Sequence, residues 1–498
     1  MSENVTRTRF GPSPTGPLHI GGVRTALFSW LLAKHGNGQF ILRIEDTDQS
    51  RFVEGSIEEI KAMLEWLGIT PDEGPGYGGE HGPYTQSERL DSYHEWVGWL
   101  LDNDKAYRCF CTSERLKRVN EEKRARKEPS GYDRHCRNLS ADDVQAKLDA
   151  GESHVVRFKM PADGVTVTQD LLRGAVEFDN TTLQDSVILK SDGFPTYHLA
   201  HVVDDHLMEI SHVTRANEWL ASLPLHWNMW EAFGWEKPVY VHLPVLLNPN
   251  GKGKLSKRTE AFSASGEKIL VLAKEYKAAG YLPEAILNFM TNIGWNFGDN
   301  EEIFDIKEAI ERFEIADVNQ SNSAFPIDKL DWLNGMYIRE MPAEDLAKRL
   351  RPVLEDAGLE VNVDTLLKVT PIAQTRIKTL NDIVDLAGFF FHDPADFEAP
   401  AADLLIQKKM DAAGTVNVLE AATKTLESLD NLEHSHQYEI FKALAKEIGV
   451  KNGQLFGAMR VAVTGQKIST PTFETIEILG KAESLRRFQL AIEKLNES

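Results

Sequence analysis

The first fifty residues change their hydrophobic period twice. Between residues 23 and 31, apolar side chains recur at intervals of three and four, the spacing of one buried helix face, and Gly36 supplies a stop signal. A short strand is predicted to end at residues 8–10, and a clearer strand over 40–42 runs into the charged turn 43–48. Strand, loop, helix and strand in this order predict a right-handed βαβ unit with a parallel sheet. The apolar helix positions are Val23, Ala26, Leu27, Trp30 and Leu31.

The loop before the predicted helix is stiff and carries few side chains. Pro12 and Pro14 restrict its backbone, while Gly21 and Gly22 leave the backbone open where the helix begins. Ligands of open α/β sheets lie beyond the carboxyl ends of the strands, where a helix N-terminus offers N–H groups to phosphates. With His19 in this loop, the pattern predicts a phosphate-binding site. An ordinary strand-to-helix turn with an incidental histidine is the alternative.

From about residue 326 onward, polar and apolar positions follow a helical spacing almost to the end of the chain. The pattern is clearest over residues 343–359, 364–391 and 437–449, and no strand-rich run interrupts it. The sequence therefore predicts an all-α region over residues 326–498.

Length and composition limit the class of protein. A chain of 498 residues is long enough for about three domains, and 42% hydrophobic with 26% charged residues is typical of globular proteins. No apolar run reaches the roughly 18 residues of a membrane helix, and residues 1–8 lack the apolar segment of a signal peptide. Three cysteines do not make a disulfide framework. We therefore expect a cytoplasmic protein with no membrane partner.

The charge pattern leaves room for a local anion site. A formal net charge of −21 argues against nucleic-acid affinity over the whole surface, although it does not exclude a local basic groove. Residues 114–137 hold nine Lys or Arg against five acids, and residues 252–258 hold four cations in a loop flanked by Asn, Gly and Ser. Each stretch is read either as a solvated surface or as a phosphate contact.

A histidine loop combined with a distant lysine loop indicates the family. The chain contains neither G-x-x-x-x-G-K-[ST] nor G-x-G-x-x-G, the usual nucleotide-binding loops. The segments "HIGG" at residues 19–22 and "KLSKR" at 254–258 resemble the two signatures of class I aminoacyl-tRNA synthetases. Neither segment alone is specific for this family, but the two together in this order are.

Further segments resemble the glutamyl subgroup of that family over nearly the full length. Gly22 stands where many class I enzymes have a second histidine, which is usual for glutamyl enzymes, whereas glutaminyl enzymes tend to keep the histidine. The similar segments are residues 12–22, 43–48, 192–208, 214–226 and 457–488.

The resemblance implies an α/β Rossmann-like catalytic domain with an α/β insertion, a helical connector and an all-α C-terminal anticodon-binding region of the bacterial type. The expected boundaries are 1–105 with 196–245 for the catalytic domain, 106–195 for an insertion that binds the tRNA acceptor end, 246–325 for the connector with the Lys-x-Ser-Lys loop, and 326–498 for the anticodon-binding region.

The implied reaction is ATP-dependent activation of L-glutamate to glutamyl-adenylate, followed by transfer to the 3′-terminal adenosine of tRNA(Glu). Catalysis of this kind needs positioning and charge stabilisation more than a covalent nucleophile. His19 and Lys257 are the expected catalytic residues, with Lys254 as the second choice for the lysine role. Glu218 is an expected nucleotide contact, with a helix start as the alternative. The expected ATP-binding residues are Pro12, His19, Gly21, Gly22, Glu218, Lys254, Leu255, Ser256, Lys257 and Arg258.

Glutamate has two carboxylates and one ammonium, so two arginines and one acid are its natural partners. The resemblance assigns Arg9 to the side-chain carboxylate, Arg215 to the other carboxylate, Glu45 to the amino group and Tyr197 to the pocket wall. For Arg215, a salt bridge to Glu218 one helical turn on is the alternative. The expected glutamate-binding residues are Arg9, Gly11, Ser13, Glu45, Tyr197, His201 and Arg215.

The resemblance implies Mg²⁺ and leaves zinc open. Mg²⁺ is expected with ATP, but the sequence does not identify its ligands. Some glutamyl enzymes carry zinc on a set that begins like Cys109, Cys111 and Cys136, with a histidine two residues after the third cysteine. This chain has an asparagine at that place; Tyr132 and His135 are candidates for a fourth ligand, but neither has the ordinary spacing of a zinc ligand. Zinc and a cluster of reduced thiols both stay open, and no metal ligand is assigned.

Several relatives of the expected enzyme are alternatives. A form that also charges tRNA(Gln) fits the motifs, and the sequence does not decide between tRNA(Glu) alone and both tRNAs. An inactive tRNA-binding paralogue is disfavoured by the presence of His19, Lys257, Arg9 and Glu45. A glutaminyl enzyme is disfavoured by the arginine pair and the helical C-terminus, and a shortened relative is disfavoured by the presence of that region. The expected partners are tRNA(Glu), L-glutamate and ATP, and the expected state is a monomer.

Overall fold

The computed structural model describes residues 5–255, 262, 266, 268–298 and 301–497. The chain divides into two units, the first within Met1–Tyr276 and Ile286–Ile327 and the second within Lys277–Ala285 and Asp328–Ser498. The predicted ATP-binding residues Ser256, Lys257 and Arg258 lie outside the described residues.

Strands and helices alternate through the first part of the chain. The strands are β1 (Arg7–Phe10), β2 (Gln39–Leu42), β3 (Ala106–Cys109), β4 (Val155–Phe158), β5 (Val165–Asp170), β6 (Gly174–Asp179), β7 (Val187–Leu189), β8 (His212–Ala216), β9 (Val239–Leu243), β10 (Leu246–Leu247) and β11 (Ser323–Ala324). The helices are α1 (Ile20–His35), α2 (Ser56–Leu67), α3 (Leu90–Asp102), α4 (Ser113–Ala125), α5 (Ala141–Asp149), α6 (Tyr197–Leu207), α7 (Leu223–Phe233), α8 (Ala273–Ala278), α9 (Pro283–Asn292) and α10 (Ile306–Arg312).

The predicted βαβ unit is confirmed. Helix α1 begins at Ile20, directly after the loop, and ends at Gly36, whose N–H donates to carbonyls of the last turn. Strands β1 and β2 pair in parallel, with Arg9 opposite Ile41. The helix is buried on more than the predicted face, because it lies between the sheet and α10. Residues such as Phe28 and Leu32 are therefore also buried.

A four-stranded parallel sheet in the order β2-β1-β8-β9 forms the centre of the first unit. The segment between β2 and β8 contains a three-stranded antiparallel sheet, β3-β4-β7, and a separate antiparallel hairpin, β5-β6. An apolar core under the sheet packs α3, α6 and α7 together around buried side chains such as Tyr93, Val203 and Trp230. The carboxyl ends of β1, β8 and β9 consequently lie at one edge of the sheet.

From residue 327 the described chain, to residue 497, contains helices and turns without a strand. The predicted stretch 364–391 is divided by a break between residues 374 and 382. Two apolar cores hold this region, one around Leu350 and Val369 and one around Leu419 and Phe488. The helices are α11 (Ile327–Glu340), α12 (Ala343–Asp356), α13 (Val363–Gln374), α14 (Asp382–Ala387), α15 (Ala402–Leu405), α16 (Ala412–Ser428), α17 (His434–Glu447), α18 (Asn452–Thr464), α19 (Thr472–Leu479) and α20 (Lys481–Asn496).

No helix in the described part of the chain has the length and apolar character that crossing a bilayer demands.

The turn between α1 and β2 generates the first prediction. A Cβ at Gly38 would overlap the backbone carbonyl of Thr6, and a backbone group cannot rotate away as a side chain does. Gly38→Ala should therefore lower the free energy of unfolding by about 1–3 kcal/mol, measured by chemical denaturation. Gly98→Ala is the matched control, because a Cβ at that position in α3 meets no atom within 4 Å. An equal effect of both substitutions would contradict the prediction.

Candidate active site

A cavity of about 880 Å³ opens at the carboxyl edge of the four-stranded sheet. Its wall includes residues from the ends of β1, β8 and β9 and from the start of α1. Pro12 and His201 do not line it, although Pro12 accepts the backbone N–H of Glu45 at 3.0 Å. The predicted residues that do line it are Arg9, Gly11, Ser13, His19, Gly21, Gly22, Glu45, Tyr197, Arg215, Glu218, Lys254 and Leu255.

His19 stands at the N-cap of α1. Its Nδ1 accepts the backbone N–H of Gly21 at 2.9 Å, and the adjacent Ile20 N–H donates to the carbonyl of Val271 at 2.9 Å. A neutral imidazole that accepts at Nδ1 carries its proton on Nε2, so His19 presents a donor through that atom. A Cβ at Gly21 would lie 3.1 Å from His19 Nδ1, which explains the need for a small residue there.

Arg9 belongs to a buried ion network centred on Asp205. The carboxylate of Asp205 accepts from Arg9 Nε at 3.0 Å and from Arg43 Nη1 at 2.6 Å, and it contacts His201 Nδ1 at 2.7 Å. All four side chains are buried. The two guanidinium groups hold the pKa of Asp205 well below its usual range, against the effect of burial. Asp205 therefore stays ionised and fixes both arginines.

Glu45 lies at the same end of the cavity. Its Oε1 accepts from Arg43 Nη2 at 3.0 Å, while burial raises the pKa of Glu45. A Cβ at Gly11 would overlap the Glu45 carboxylate, so the loop passes this acid only because Gly11 has no side chain. The carboxylate therefore lies against the cavity, with one oxygen oriented by Arg43.

Arg215 is held by neutral groups. Its Nε donates to His242 Nε2 at 2.9 Å, and its Nη1 lies 3.0 Å from His226 Nδ1 and 3.4 Å from the Tyr197 hydroxyl. The alternative of a salt bridge to Glu218 is wrong. Arg215 lies in β8 and Glu218 in the turn that follows, so one helical turn does not separate them.

Glu218 instead pairs with Lys254, whose Nζ lies 2.6 Å from Glu218 Oε2 at the exposed rim. The backbone around Lys254 is anchored, since Leu255 N–H donates to the carbonyl of Leu246 at 2.9 Å and Leu255 is buried. Glu218 does lie at the start of a helix, as the alternative expected, but it is a 3₁₀ helix over Asn217–Ser222. Trp219 there packs on the Tyr197 ring with centroids 4.3 Å apart.

The charges at the inner end of the cavity do not cancel. Three guanidinium groups, those of Arg9, Arg43 and Arg215, lie near the carboxylates of Glu45 and Asp205. Asp204, 3.9 Å from Arg43, is paired with Arg89 at 2.7 Å, so that pair adds no net charge. The balance is one positive charge in a buried environment, where electrostatic interactions are stronger than in water. The site is therefore suited to a ligand with one net negative charge.

Four buried residues of this network were not predicted as site residues: Arg43, Asp205, His226 and His242. Arg43, Asp205 and His226 stand in segments that resemble the glutamyl subgroup, which is the only signal the sequence offers for them. Arg43 and Asp205 resemble solvated charges locally, because the ion pair between them joins residues that are distant in the chain.

The basic stretch 114–137 is largely a solvated surface. Helix α4 has no buried residue. Part of the positive excess is neutralised, since Arg115 pairs with Asp133 at 2.6 Å and Arg137 pairs with the buried Asp185 at 2.7 Å.

The three cysteines converge. The Sγ atoms of Cys109, Cys111 and Cys136 lie within 4.8 Å of one another, with Cys111 and Cys136 3.5 Å apart. Tyr132 completes the group, because its hydroxyl lies 3.3 Å from Cys109 Sγ and 4.0 Å from Cys111 Sγ. His135 is exposed. Three thiols and a phenol hydroxyl in this arrangement would supply the four donors of a tetrahedral zinc ion, losing their protons as the metal binds.

The chain is similar to characterised proteins over its whole length. Residues 5–332 match the family described as tRNA synthetases class I (E and Q), catalytic domain, and residues 345–492 match an anticodon binding domain family. A glutamate–tRNA ligase of Dehalococcoides mccartyi is 47% identical over 99% of this chain and 98% of that protein. One of Roseiflexus castenholzii is 45% identical over 99% and 97%.

A solved structure is also similar. The crystal structure of a glutamate tRNA ligase from Elizabethkingia meningosepticum, in complex with its amino acid, superposes with a TM-score of 0.86 at 37% identity, covering 99% of this chain and 100% of that one. These likenesses confirm the predicted fold class, an α/β catalytic region followed by a helical C-terminal region.

The Asp205 network generates the second prediction. Asp205→Asn leaves two buried guanidinium groups without their shared anion, so it should lower the free energy of unfolding of this unit by about 3–5 kcal/mol, followed by tryptophan fluorescence in denaturant. Because the folded pKa of Asp205 is depressed, this stability is present above the unfolded pKa of about 3.9 and is lost as the pH falls below it. The exposed Asp149→Asn is the control, and a similar loss there would refute the assignment.

Proposed function

Since the chain belongs to the class I tRNA synthetases of the glutamate and glutamine group, we propose that it is a glutamate–tRNA ligase whose described cavity binds L-glutamate and ATP. The observation that carries this proposal is the meeting of Arg9, Arg215, Glu45 and His19 on one cavity wall, from four separate parts of the chain. Relatives named for the same activity align with 99% of the chain, at 47% and 45% identity.

The reaction has two steps. A carboxylate oxygen of glutamate attacks the α-phosphorus of ATP, and pyrophosphate leaves as glutamyl-adenylate forms. A hydroxyl of the 3′-terminal adenosine of tRNA(Glu) then attacks the activated carbonyl and releases AMP. The protein's main tasks are to align the reactants and to stabilise the charge that develops on the phosphates.

The buried positive end of the cavity would take the amino acid. Arg9 would bind the side-chain carboxylate, Arg215 the other carboxylate and Glu45 the ammonium group, with Tyr197 as a wall and Gly11 and Ser13 in the adjoining loop. His201 would contribute indirectly, because its Nδ1 contacts Asp205 at 2.7 Å and Asp205 in turn holds Arg9. Glutamate carries one net negative charge and balances the site, whereas neutral glutamine would leave a buried positive charge uncompensated.

The open end of the cavity would take ATP. His19 would donate from Nε2 to a phosphate oxygen at the positive end of the α1 dipole, where Gly21 and Gly22 leave room for the phosphates to approach the backbone. Lys257 would neutralise the leaving pyrophosphate, with Lys254 as the second candidate, and Mg²⁺ would offset phosphate charge. The remaining proposed nucleotide contacts are Pro12, Glu218, Leu255, Ser256 and Arg258.

The predicted domain roles remain part of the proposal. Residues 106–195 would bind the acceptor end of the tRNA, residues 246–325 would connect, and residues 326–498 would bind the anticodon, which the family match of residues 345–492 supports. We expect a monomer in the cytoplasm. Charging assays with purified tRNA(Glu) and tRNA(Gln) separate an enzyme specific for the first from one that accepts both.

The third prediction concerns His19. His19→Ala should reduce glutamate-dependent ATP–pyrophosphate exchange by about 100- to 1,000-fold, because a preorganised donor to the developing charge is lost, while tRNA binding stays intact. His19→Asn is the informative companion, since its side-chain oxygen can still cap Gly21 N–H but cannot reach the phosphate. Recovery of exchange by the asparagine variant would make His19 a helix cap only. Absence of exchange in the unaltered protein, with and without tRNA, would leave only a binding module.

The fourth prediction concerns zinc. Cys109, Cys111, Cys136 and Tyr132 would hold the ion, which would stabilise the loop between β3 and α5 and take no part in the reaction. The purified protein should contain about one zinc per chain by elemental analysis, and Cys136→Ser should lose it. A metal-free protein with three titratable thiols would establish the reduced cluster instead.

A further inference from the structure

Arg215 differs from the other arginines of the cavity in the kind of group that orients it. Arg9 and Arg43 share the carboxylate of Asp205, whereas Arg215 makes no ion pair with any described residue. Its acceptors are two imidazole nitrogens and a phenol. In addition, its Nη2 is buried and has no acceptor in the described part of the chain. Arg215 is therefore oriented, but no described carboxylate pairs with it; the Tyr240 ring, whose centroid lies 5.1 Å from the guanidinium carbon, offers a cation–π contact.

The first of these imidazoles is fixed by strand pairing. His242 lies opposite Arg215 in the β8–β9 register, so the two side chains emerge side by side from the sheet. Arginine has only donors, so the His242 Nε2 that receives Arg215 Nε–H at 2.9 Å carries no proton. The ring proton is then on Nδ1, where it is donated to Asp170 Oδ2 at 2.7 Å.

Asp170 is itself locked in place. Its Oδ1 accepts the backbone N–H groups of Leu172 and Arg173, both at 3.1 Å, in the turn between β5 and β6. Its Oδ2 also accepts the backbone N–H of His242 at 3.0 Å. This carboxylate therefore selects the tautomer of His242 and holds the ring from behind.

The second imidazole obeys the same logic. His226 Nδ1 faces Arg215 Nη1 at 3.0 Å, so it is the unprotonated nitrogen. The proton of His226 is on Nε2, which lies 3.0 Å from His198 Nδ1 and donates to it. His226 and His242 are both fully buried.

The surroundings keep both rings neutral. Burial lowers the pKa of His226 well below its ordinary value, and Arg215, His201, His198 and His242 face it and act in the same direction. Burial also lowers the pKa of His242, reinforced by Arg215 and Arg173 and opposed by Asp170.

We propose that His226 and His242 are positioning residues for substrate binding: they hold Arg215 through neutral acceptors and so reserve its positive charge for the substrate carboxylate that does not bind Arg9. This inference rests on the proposed function, since it assumes that Arg215 binds glutamate. A carboxylate at either position would orient Arg215 equally well, but it would neutralise the guanidinium and repel the substrate.

A matched pair of variants tests this directly. Asparagine and aspartate are isosteric, and the side-chain oxygen of either lies near the place of His226 Nδ1. His226→Asn offers Arg215 a neutral acceptor, and His226→Asp offers a charged one that the neighbouring guanidinium keeps ionised. Relative to His226→Asn, the aspartate variant should raise the KM for glutamate by roughly 10- to 100-fold, with the KM for ATP unchanged.

Arg215 is assigned the carboxylate that glutamate and glutamine share. The ratio of kcat/KM for the two amino acids, measured in aminoacylation, should therefore stay nearly the same in His226→Asp and His226→Asn, while the KM for glutamate differs. A merely structural role of His226 predicts the same loss for both variants. Equal KM values for glutamate in the two variants would therefore overturn the proposal.

A second pair of variants and a reference variant complete the test. If thermal melting shows that His226→Asp or His226→Asn does not fold, His242→Gln and His242→Glu repeat the comparison at the position of His242 Nε2. Arg215→Lys keeps the charge but loses the fork, and it should raise the KM for glutamate. If the unaltered protein shows no glutamate dependence, the proposed function fails. If it does and Arg215→Lys is impaired, yet both matched pairs behave alike, only this inference fails.

Discussion

The structure depends on burying three guanidinium groups at one edge of a parallel sheet. A buried arginine without a partner is costly, so each needs either a counter-ion or a complete set of acceptors. Asp205 meets this need for Arg9 and Arg43 with one carboxylate, at 3.0 and 2.6 Å. The third arginine receives acceptors that carry no charge. The cavity therefore keeps one positive charge, and this surplus gives it its chemical character.

The parallel sheet makes that arrangement possible. Strands that run in the same direction end at the same edge, so Arg9 at the end of β1 and Arg215 at the end of β8 meet although they are far apart in sequence. Glu45 arrives from the turn after β2, and His19 from the N-terminus of α1. No single segment contains the site. It exists only when the four strands are in register.

The sequence predicts the helices and strands around the site, but it does not predict the contacts between residues that are distant in the chain. Helix α1 and strands β1 and β2 follow from spacing alone, because period and stop signals are properties of short segments. Arg9 and Glu45 were predicted as site residues only because the sequence resembles the glutamyl subgroup. The roles of Asp205, His226 and His242 were not predictable, since a buried acid or imidazole is recognised by partners that only folding brings near. The alternative that paired Arg215 with Glu218 is wrong because it assumed a helix where β8 ends.

Histidine fits the task of orienting Arg215 better than the other neutral acceptors do. An amide can rotate and exchange its oxygen for a donor, whereas an imidazole whose far nitrogen is engaged can present only its bare nitrogen to the guanidinium. For His242 that far contact is Asp170, which lies at the end of the hairpin strand β5. The hairpin thus supports the pocket with the carboxylate of Asp170 without placing negative charge next to the ligand, because the His242 ring lies between Asp170 and Arg215. Asp170 fixes the tautomer of His242, and the positive charge of Arg215 remains available for the substrate.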